Sequence, residues 1–218
     1  MWTILKYAAV AGCTMAVAPS VVMADLIDFS DWKEQRLSLF LSNDYEFDGQ
    51  RLGIASDGAI SIAWAPVPDH LWGANTAQWN WAVDQSVPAT DLRLKGGDDR
   101  NISLYFVYLP KDQADDMRGR SIRRLLGNTQ VRILQYVFGG DHARGTFIPS
   151  PYGPKGQGAS VVLRSAGRGG YAEAVNLAQN FQTAFGHAPL QLVGLAVSGD
   201  SDDTNSMIRA EISDLRLR

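Results

Sequence analysis

Residues 190–217, LQLVGLAVSGDSDDTNSMIRAEISDLRL, contain the pattern that decides the fold. The run Leu192–Val197 is almost continuously apolar, which is typical of a central strand covered on both faces. After a polar loop, apolar Ile208, Ala210 and Ile212 alternate with polar neighbours, which is typical of a half-buried antiparallel strand. The stretch therefore predicts two strands joined by a loop, one inside a sheet and one with a solvated face.

Beyond this stretch, short β-patterned runs bounded by Gly, Asp, Asn or Pro fill most of the chain. They are Arg51–Ser56, Ala59–Trp64, Ile102–Leu109, Val131–Phe138, Ser160–Ser165, Leu190–Ser198 and Met207–Leu217. Successive strands without regular β–α alternation predict a mainly β fold, an antiparallel β-sandwich or jelly roll. Near the N-terminus, Leu26 to Phe29 is expected to lie beside Met207–Leu217 in one sheet.

One or two short helices are expected within this β pattern. Residues Ala172–Phe185 place apolar side chains on one helical face, and Gly186 follows as a C-terminal cap. Ser121–Leu126 shows the same pattern on a smaller scale. The sequence contains no internal repeat, low-complexity tract or linker, so residues 25–218 predict a single domain.

Composition and charge limit the function classes. The chain has 218 residues and a formal net charge of −3, so it offers no global cationic field for nucleic acid or an anionic membrane. Cys13 is the only cysteine, which excludes disulfides and thiolate metal sites from a chain cleaved after it. Motifs of zinc hydrolases, serine hydrolases, phosphate loops and dinucleotide folds are absent from the sequence.

The first 24 residues predict an export signal. Met1 to Lys6 is short and positively charged, Tyr7 to Met23 is apolar, and Val22-Met23-Ala24 fits a small-x-small cleavage site. We therefore expect residues 1–24 to be a cleaved signal peptide and the mature protein to be periplasmic or secreted, with no later transmembrane segment. The alternative is a lipoprotein, because Val10-Ala11-Gly12-Cys13 resembles a lipobox in which the cysteine is acylated.

A series of motifs resembles one family. The motifs are Gln78-Trp79-Asn80-Trp81, Asp91 to Asp99, Gln135-Tyr136-Val137-Phe138, Pro149-Ser150-Pro151-Tyr152, Val161 to Ser165, Phe185-Gly186 and Asp200 to Thr204. In this order they resemble the secreted bacterial proteins grouped as domain of unknown function 3047 (DUF3047), over essentially the whole mature chain. The resemblance implies a β-sandwich related in shape to galactose-binding and carbohydrate-binding modules, and it implies no activity.

A tryptophan cluster is the first candidate ligand surface. Trp64, Trp72, Trp79 and Trp81 fall within 18 positions, and stacking an indole ring on the apolar face of a sugar contributes about 1 kcal/mol. Trp79 and Trp81 have strand spacing and share one face of a sheet, so they either line a ligand surface or fill the sandwich core. Trp72 lies in a loop with Pro, His and Gly and is the better exposed candidate.

The polar turn Lys95-Gly96-Gly97-Asp98-Asp99-Arg100 is the second candidate. Asp98 and Asp99 could bind a cation or supply a general acid, with Lys95 beside them. The alternative is a glycine turn whose Asp side chains hydrogen-bond the local backbone. Arg164, at the end of an apolar strand, could clamp a ligand carboxylate or form an ion pair with one of these acids.

Residues 200–205 form an oxygen-rich loop that suits Ca²⁺. Asp200, Asp202 and Thr204 are the candidate metal ligands, and a solvated hairpin loop is the alternative. An EF-hand is excluded because Asn205 stands where that motif needs glycine, and because the flanking segments are predicted strands.

These patterns predict an exported envelope protein that binds a glycan or other polar ligand without catalysis. Ca²⁺ is the cofactor that the acidic loop suggests. Two alternatives stay open: an enzyme acting on glycans through Asp98 and Asp99, and a structural or assembly partner in the envelope. Adjacent Asp residues on a strand point to opposite faces, so a glycosidase needs a further carboxylate from a distant part of the chain.

Overall fold

In a computed structural model, two packed β-sheets account for most of the chain. The structure describes residues 24–37, 41–116, 125 and 128–218. The strands are β1 (Asp25–Leu26), β2 (Lys33–Arg36), β3 (Asp44–Asp48), β4 (Arg51–Asp57), β5 (Ser61–Pro66), β6 (Thr76–Gln85), β7 (Arg100–Leu109), β8 (Arg132–Gly139), β9 (Phe147–Pro149), β10 (Gly158–Arg164), β11 (Gly169–Asn176), β12 (Gln191–Asp200) and β13 (Met207–Leu217). The helices are α1 (Lys111–Asp116), α2 (Leu177–Phe185) and a 3-10 turn at Asp69–Leu71.

One sheet has six strands and the other has seven. The six-stranded sheet has the order β11-β6-β13-β4-β3, with β1 also paired to β13, and the seven-stranded sheet has the order β2-β5-β12-β7-β8-β10-β9. Among the described strands, the β8–β10 pair is parallel and the other pairs are antiparallel. The predicted mainly β, antiparallel sandwich is therefore confirmed, and Leu26 lies beside Arg216 of β13 as expected.

The two strands at the C-terminal end behave as their patterns predict. β12 lies between β5 and β7, and every residue from Leu192 to Asp200 is buried. In β13, buried Ile208, Ala210 and Ile212 alternate with more exposed residues. Hydrophobic periodicity therefore identified both the central strand and the half-solvated one.

The predicted helix over Ala172–Phe185 is only partly correct. Its first residues belong to β11, in which Ala172 pairs with Asn80 of β6. The helix α2 begins after Asn176, whose side chain caps the first turn by accepting a backbone N–H at 2.9 Å, and it ends at Gly186 in the left-handed conformation. Asn is a strong N-cap residue, so the boundary was present in the sequence, but the alanines on either side of it masked the change from strand to helix.

Two further predictions fall on parts of the chain that the structure does not describe. They are the export signal, of which only Ala24 is described, and the helix over Ser121–Leu126, of which only Leu125 is described. Within the described ranges, no helix has the length and apolar character needed to cross a membrane.

Aromatic side chains fill the interior between the two sheets. Trp79 and Trp81 of β6 lie edge to face with ring centroids 5.4 Å apart, and they contact Tyr136 and Phe138 of β8 at 5.6 and 5.7 Å. Trp81 is only 2% exposed, and Trp72 is buried as well. The prediction that Trp72, Trp79 and Trp81 line a ligand surface is therefore wrong, because sugar stacking requires an exposed ring face and all three rings are buried.

Candidate functional site

The outer face of the seven-stranded sheet carries a line of polar side chains. The register pairs Tyr105 of β7 with Ala196 of β12 and with Gln135 of β8, and it pairs Gln135 with Ser160 of β10. Residues paired across neighbouring strands point to the same side of a sheet. Leu104, next to Tyr105 in the chain, is completely buried in the core, so the polar line faces away from the core.

Two loops convert this line into a depression of about 290 Å³. The loop before β7 contributes Asp98, and the loop after β9 contributes Tyr152. We call the depression the polar groove and define it by Asp98, Arg100, Tyr105, Gln135, Tyr152 and Ser160.

Arg100 is the buried centre of the hydrogen-bond network in the polar groove. Its Nη1 lies 3.0 Å from Oδ2 of Asp98 and 2.9 Å from Oδ2 of Asp200, so one guanidinium nitrogen pairs with two carboxylates. Its Nη2 donates to the Tyr105 hydroxyl at 2.9 Å, and its Nε donates to the Ser103 hydroxyl at 3.0 Å. All three guanidinium nitrogens are therefore engaged, which fixes the side chain in one orientation.

Burial and the charge of the ion-pair partner shift the pKa values of Arg100 and Asp200 in opposite directions. Burial alone would lower the pKa of Arg100, but Tyr105, Asp200 and Asp98 raise it above its ordinary value, so the guanidinium is a cation. Burial also raises the pKa of Asp200, with Arg100 opposing that shift and Asp202 adding to it. Two acids surround the one cation, so the floor of the polar groove has no excess of positive charge.

The other polar atoms of the groove are held by the same network. The hydroxyls of Tyr105 and Ser198 lie 2.8 Å apart, and Nε2 of Gln135 donates to Ser103 at 2.8 Å. Ser160 donates to Oε1 of Gln135 at 3.3 Å. Because the network spans β12, β7, β8 and β10, the side chains are ordered before a ligand arrives, which lowers the entropy cost of binding.

Tyr152 forms the rim of the polar groove and is 46% exposed. Its hydroxyl donates to Oδ1 of Asp98 at 2.7 Å and accepts from the Gly96 N–H at 3.3 Å. Nζ of Lys95 lies 5.6 Å from the ring centroid, within cation–π range. Desolvation raises the pKa of Tyr152 to about 12, and the bond to Asp98 adds to the shift, so the hydroxyl is a neutral donor. The rim thus offers an anchored aromatic face.

A small apolar cluster supports the other end of the groove. It consists of Leu92, Val137, Ile148 and Val162. Next to it, Nε2 of His142 lies 3.1 Å from Asp91 and Nδ1 lies 3.0 Å from Asp141. The contact with Asp91, the residue before Leu92, ties the loop before β7 to the loop after β8.

The structure places Lys95 and Asp98 at the groove but separates Asp99 from it. Asp99 is completely buried and accepts hydrogen bonds from the backbone N–H groups of Asp203 at 3.3 Å and Thr204 at 2.8 Å, and from the Thr204 hydroxyl. It therefore holds the loop after β12 against the start of β7. Asp99 therefore lies outside the polar groove, because its oxygens accept hydrogen bonds from the loop after β12.

Arg164 lies apart from the acids of the 95–100 turn. Its Nε is 2.7 Å from Glu173 of β11, whose carboxylate is fully buried and also pairs with Arg144 at 2.8 Å. The Arg164 guanidinium stacks on the Tyr171 ring at 3.9 Å. Arg164 therefore pairs with Glu173 and not with the acids of the 95–100 turn, and its role as a ligand clamp stays a prediction. The carboxylate that does pair with Arg164 belongs to Glu173 of β11, in the segment that the periodicity predicts as a helix.

The acidic loop after β12 lies next to the polar groove. Asp200 pairs with Arg100 behind the groove, and one carboxylate oxygen from each of Asp99, Asp202 and Asp203 lies within 4.8 Å of the other two. Thr204 directs its hydroxyl to Asp99. Of the predicted metal-ligand set, only Asp202 belongs to this convergent trio.

The sequence patterns do not predict most of the polar groove. Tyr105, Gln135 and Ser160 occupy the outward positions of strands that are otherwise largely apolar, and such alternation is a readable signal of a solvated face. The signal for Tyr152 is weaker, because it lies in a Pro- and Gly-rich loop without periodicity. Arg100 was included in the polar turn but was given no role.

Comparisons with known proteins give one matching family model and similar solved structures. The family model described as "Protein of unknown function (DUF3047)" matches residues 30–216. No curated protein matches the chain. Among solved structures, the chain is similar to the xyloglucanase domain of NopAA, a type three effector from Sinorhizobium fredii, in complex with cellobiose. The TM-score is 0.46 at 8% sequence identity, over 86% of this chain and 92% of that chain.

Proposed function

The chain belongs to the DUF3047 family, as its motifs predicted, and we propose that it binds a neutral glycan segment in the polar groove without catalysing a reaction. The observation that carries this proposal is the exposed ring of Tyr152 beside a preordered row of hydrogen-bonding side chains. The class of ligand follows from the chemistry of these groups.

The shape and polarity of a sugar match the two parts of the groove. A pyranose ring has an apolar C–H face that stacks on an aromatic side chain for about 1 kcal/mol, and Tyr152 presents such a face at the rim. The hydroxyl groups of the sugar need hydrogen-bond donors and acceptors in fixed positions. Gln135 and Ser160 carry both kinds of group along the floor, beside Arg100.

The charge balance favours a neutral ligand over an anionic one. Arg100 is the cation on the floor, and it is already paired with Asp98 and Asp200 at 3.0 and 2.9 Å. An anionic ligand would have to compete with these carboxylates at the same guanidinium, and Asp98 would repel it. A polyhydroxylated ligand avoids both costs.

The same contacts favour binding over catalysis. Glycoside hydrolysis requires two carboxyl groups roughly 5–9.5 Å apart across the scissile bond. The two oxygens of Asp98 already bond Tyr152 and Arg100, and Asp200 is only 3% exposed behind Arg100. Neither carboxyl is free to exchange a proton with a ligand. A glycan-active enzyme is the second candidate function, because Asp98 is a carboxylic acid in the polar groove.

The substitution Tyr152→Ala is expected to weaken glycan binding about fivefold to tenfold, because the stacked ring contributes about 1 kcal/mol. Tyr152→Phe keeps the ring and should bind within about twofold of the unchanged protein. Affinity electrophoresis through gels that contain neutral soluble polysaccharides identifies a ligand, and isothermal titration calorimetry with its oligosaccharides gives the affinities.

The matched control is Arg164→Ala, which removes a predicted ligand residue that the structure places against Glu173 and Tyr171. This variant should bind the glycan as tightly as the unchanged protein. The proposal is contradicted if no neutral polysaccharide retards the protein, or if Tyr152→Ala binds as tightly as the unchanged protein. Release of reducing ends from a retarding polysaccharide would favour the enzyme instead.

We also propose that the protein acts outside the cytoplasm after removal of residues 1–24, on the basis of the apolar segment and the small residues that end it. Intact-mass spectrometry of the full chain, expressed in a Gram-negative host and recovered from the periplasmic fraction, is expected to give a protein that begins at Asp25. An acylated chain that begins at Cys13 would instead support the lipoprotein alternative.

A further inference from the structure

Three carboxylates converge beside the polar groove and are not among the residues that define it. They belong to Asp99, Asp202 and Asp203, which we call the acidic cluster. Asp99 comes from the loop before β7, and the other two come from the loop between β12 and β13. The cluster therefore joins segments that are more than a hundred residues apart.

Backbone hydrogen bonds hold the acidic cluster together against its own repulsion. The Asp99 carboxylate accepts the N–H groups of Asp203 and Thr204 at 3.3 and 2.8 Å. Each carboxylate oxygen has two lone pairs, so these bonds leave acceptor capacity on the buried side chain. Asp202 and Asp203 are exposed, so the open side of the cluster is accessible to water.

Positive charge is missing around these acids. Within the described ranges, no Lys or Arg lies within ion-pair distance of Asp202 or Asp203. Arg100, the cation on the floor of the polar groove, is already paired with Asp98 and Asp200. The cluster therefore has a local excess of negative charge that the described side chains do not offset.

A second, independent observation comes from Asp200, which lies behind the cluster and is only 3% exposed. Its Oδ2 pairs with Arg100, whereas its Oδ1 is buried and has no hydrogen-bond donor among the described residues. Its carboxyl lies within hydrogen-bond reach of the Asp202 carboxyl. A buried carboxylate oxygen without a donor is rare and costly, and this one belongs to a carboxyl that lies beside Asp202 of the acidic cluster.

We propose that the acidic cluster binds a divalent cation of the calcium class, with Asp99, Asp202 and Asp203 as its carboxylate ligands and water completing the shell. The donor set contains oxygen only, which suits Ca²⁺ and does not suit zinc, which prefers nitrogen and sulfur. The ligands differ from the set that the loop pattern predicted, because Asp200 turns to Arg100 and Thr204 bonds Asp99.

The cation has a consequence for the polar groove that rests on the proposed function. Bound Ca²⁺ offsets the negative charge of Asp202, which lies against the Asp200 carboxyl that holds Arg100. It also joins the loop after β12 to Asp99, one residue from Asp98 of the groove. Ca²⁺ therefore steadies the floor of the groove, and glycan affinity should rise when it is bound.

The direct test is titration of the chelator-treated protein with CaCl₂ in an isothermal calorimeter, without glycan. We expect one ion per chain with a Kd of about 10⁻⁴–10⁻³ M, the range of extracellular calcium modules. The double variant Asp202→Asn/Asp203→Asn should bind at least tenfold more weakly. Asp116→Asn, which neutralises an exposed acid on α1, is the matched control and should bind like the unchanged protein.

Thermal unfolding separates loss of the site from loss of the fold. In chelator, the double variant should melt at or above the temperature of the unchanged protein, because it removes like-charge repulsion. Millimolar CaCl₂ should raise the melting temperature of the unchanged protein by several degrees and leave that of the double variant unchanged.

The proposal is overturned by any of three results: the unchanged protein shows neither heat nor a thermal shift, the double variant binds equally well, or Asp116→Asn weakens binding as much. These readouts need no glycan. Calcium binding by a protein that binds no glycan would therefore contradict the proposed glycan site and still support the cation site.

Discussion

Replacing Arg100 with methionine is expected to lower the free energy of unfolding by about 3 kcal/mol and to abolish glycan binding. The guanidinium is buried, its Nη1 pairs with Asp98 and Asp200, and its other nitrogens bond Tyr105 and Ser103. Methionine keeps much of the volume but leaves two carboxylates without their cation and a tyrosine without its donor. Urea unfolding followed by tryptophan fluorescence measures the stability.

The control for this variant is Arg36→Met, because the Arg36 side chain is 67% exposed in a weak ion pair at the end of β2. Its effect should stay within about 0.5 kcal/mol. Arg100→Lys separates charge from geometry: it should recover part of the stability but little of the binding, since an ammonium group lacks the planar fork that reaches all the partners. A loss below about 1 kcal/mol for Arg100→Met would mean that the network contributes little to the fold.

Trp81→Ala is expected to lower the free energy of unfolding by about 3–5 kcal/mol, the range for truncating a large aromatic residue in a core. The ring is 2% exposed and packs between Trp79 and Phe138. Glycan affinity of the folded protein should not change, because the ring lies between the sheets and the polar groove lies on the outer face. Differential scanning calorimetry and calorimetric binding measure the two effects.

If Trp81→Ala fails to fold, Trp81→Phe provides the same test with a smaller loss, about 1–2 kcal/mol, and with binding retained. Met207→Ala is the matched control, because Met207 is 48% exposed at the start of β13, and its effect should stay within about 0.5 kcal/mol. A stable Trp81→Ala protein that has lost glycan binding would restore the ligand-surface interpretation of the tryptophan cluster and contradict the core assignment.

Arg100→Met is expected to affect both stability and binding, whereas Trp81→Ala is expected to affect stability alone. The reason is that the inner face of the seven-stranded sheet packs in the core and its outer face carries the polar groove. In β7, Leu104 and Phe106 point into the core and are completely buried, whereas Ser103 and Tyr105 point to the polar network. The covered face supplies stability, and the outer face is free to carry polar groups. Arg100, at the start of the same strand, contributes to stability and to the binding site, because it is buried and also lines the polar groove.

Local patterns predicted those elements whose burial repeats along the chain. The continuous apolar run of β12 and the alternation in β13 indicated one fully covered strand and one half-covered strand, and both are confirmed. The boundary between β11 and α2 was lost because alanine fits both structures, so Asn176 was read as part of a helix and not as its cap. That error also hid Glu173, the partner of Arg164.

The strand content, the covered and half-covered strands and the family follow from the sequence, because hydrophobic periodicity and motif order are local properties of the chain. The packing of the two sheets was needed to show that Trp79 and Trp81 face inward, that Asp99 bonds Thr204 and that Arg100 lies between Asp98 and Asp200. Alternation assigns side chains to two faces of a strand, but the face that becomes buried depends on where the opposite sheet packs. Contacts between distant segments depend on the same packing.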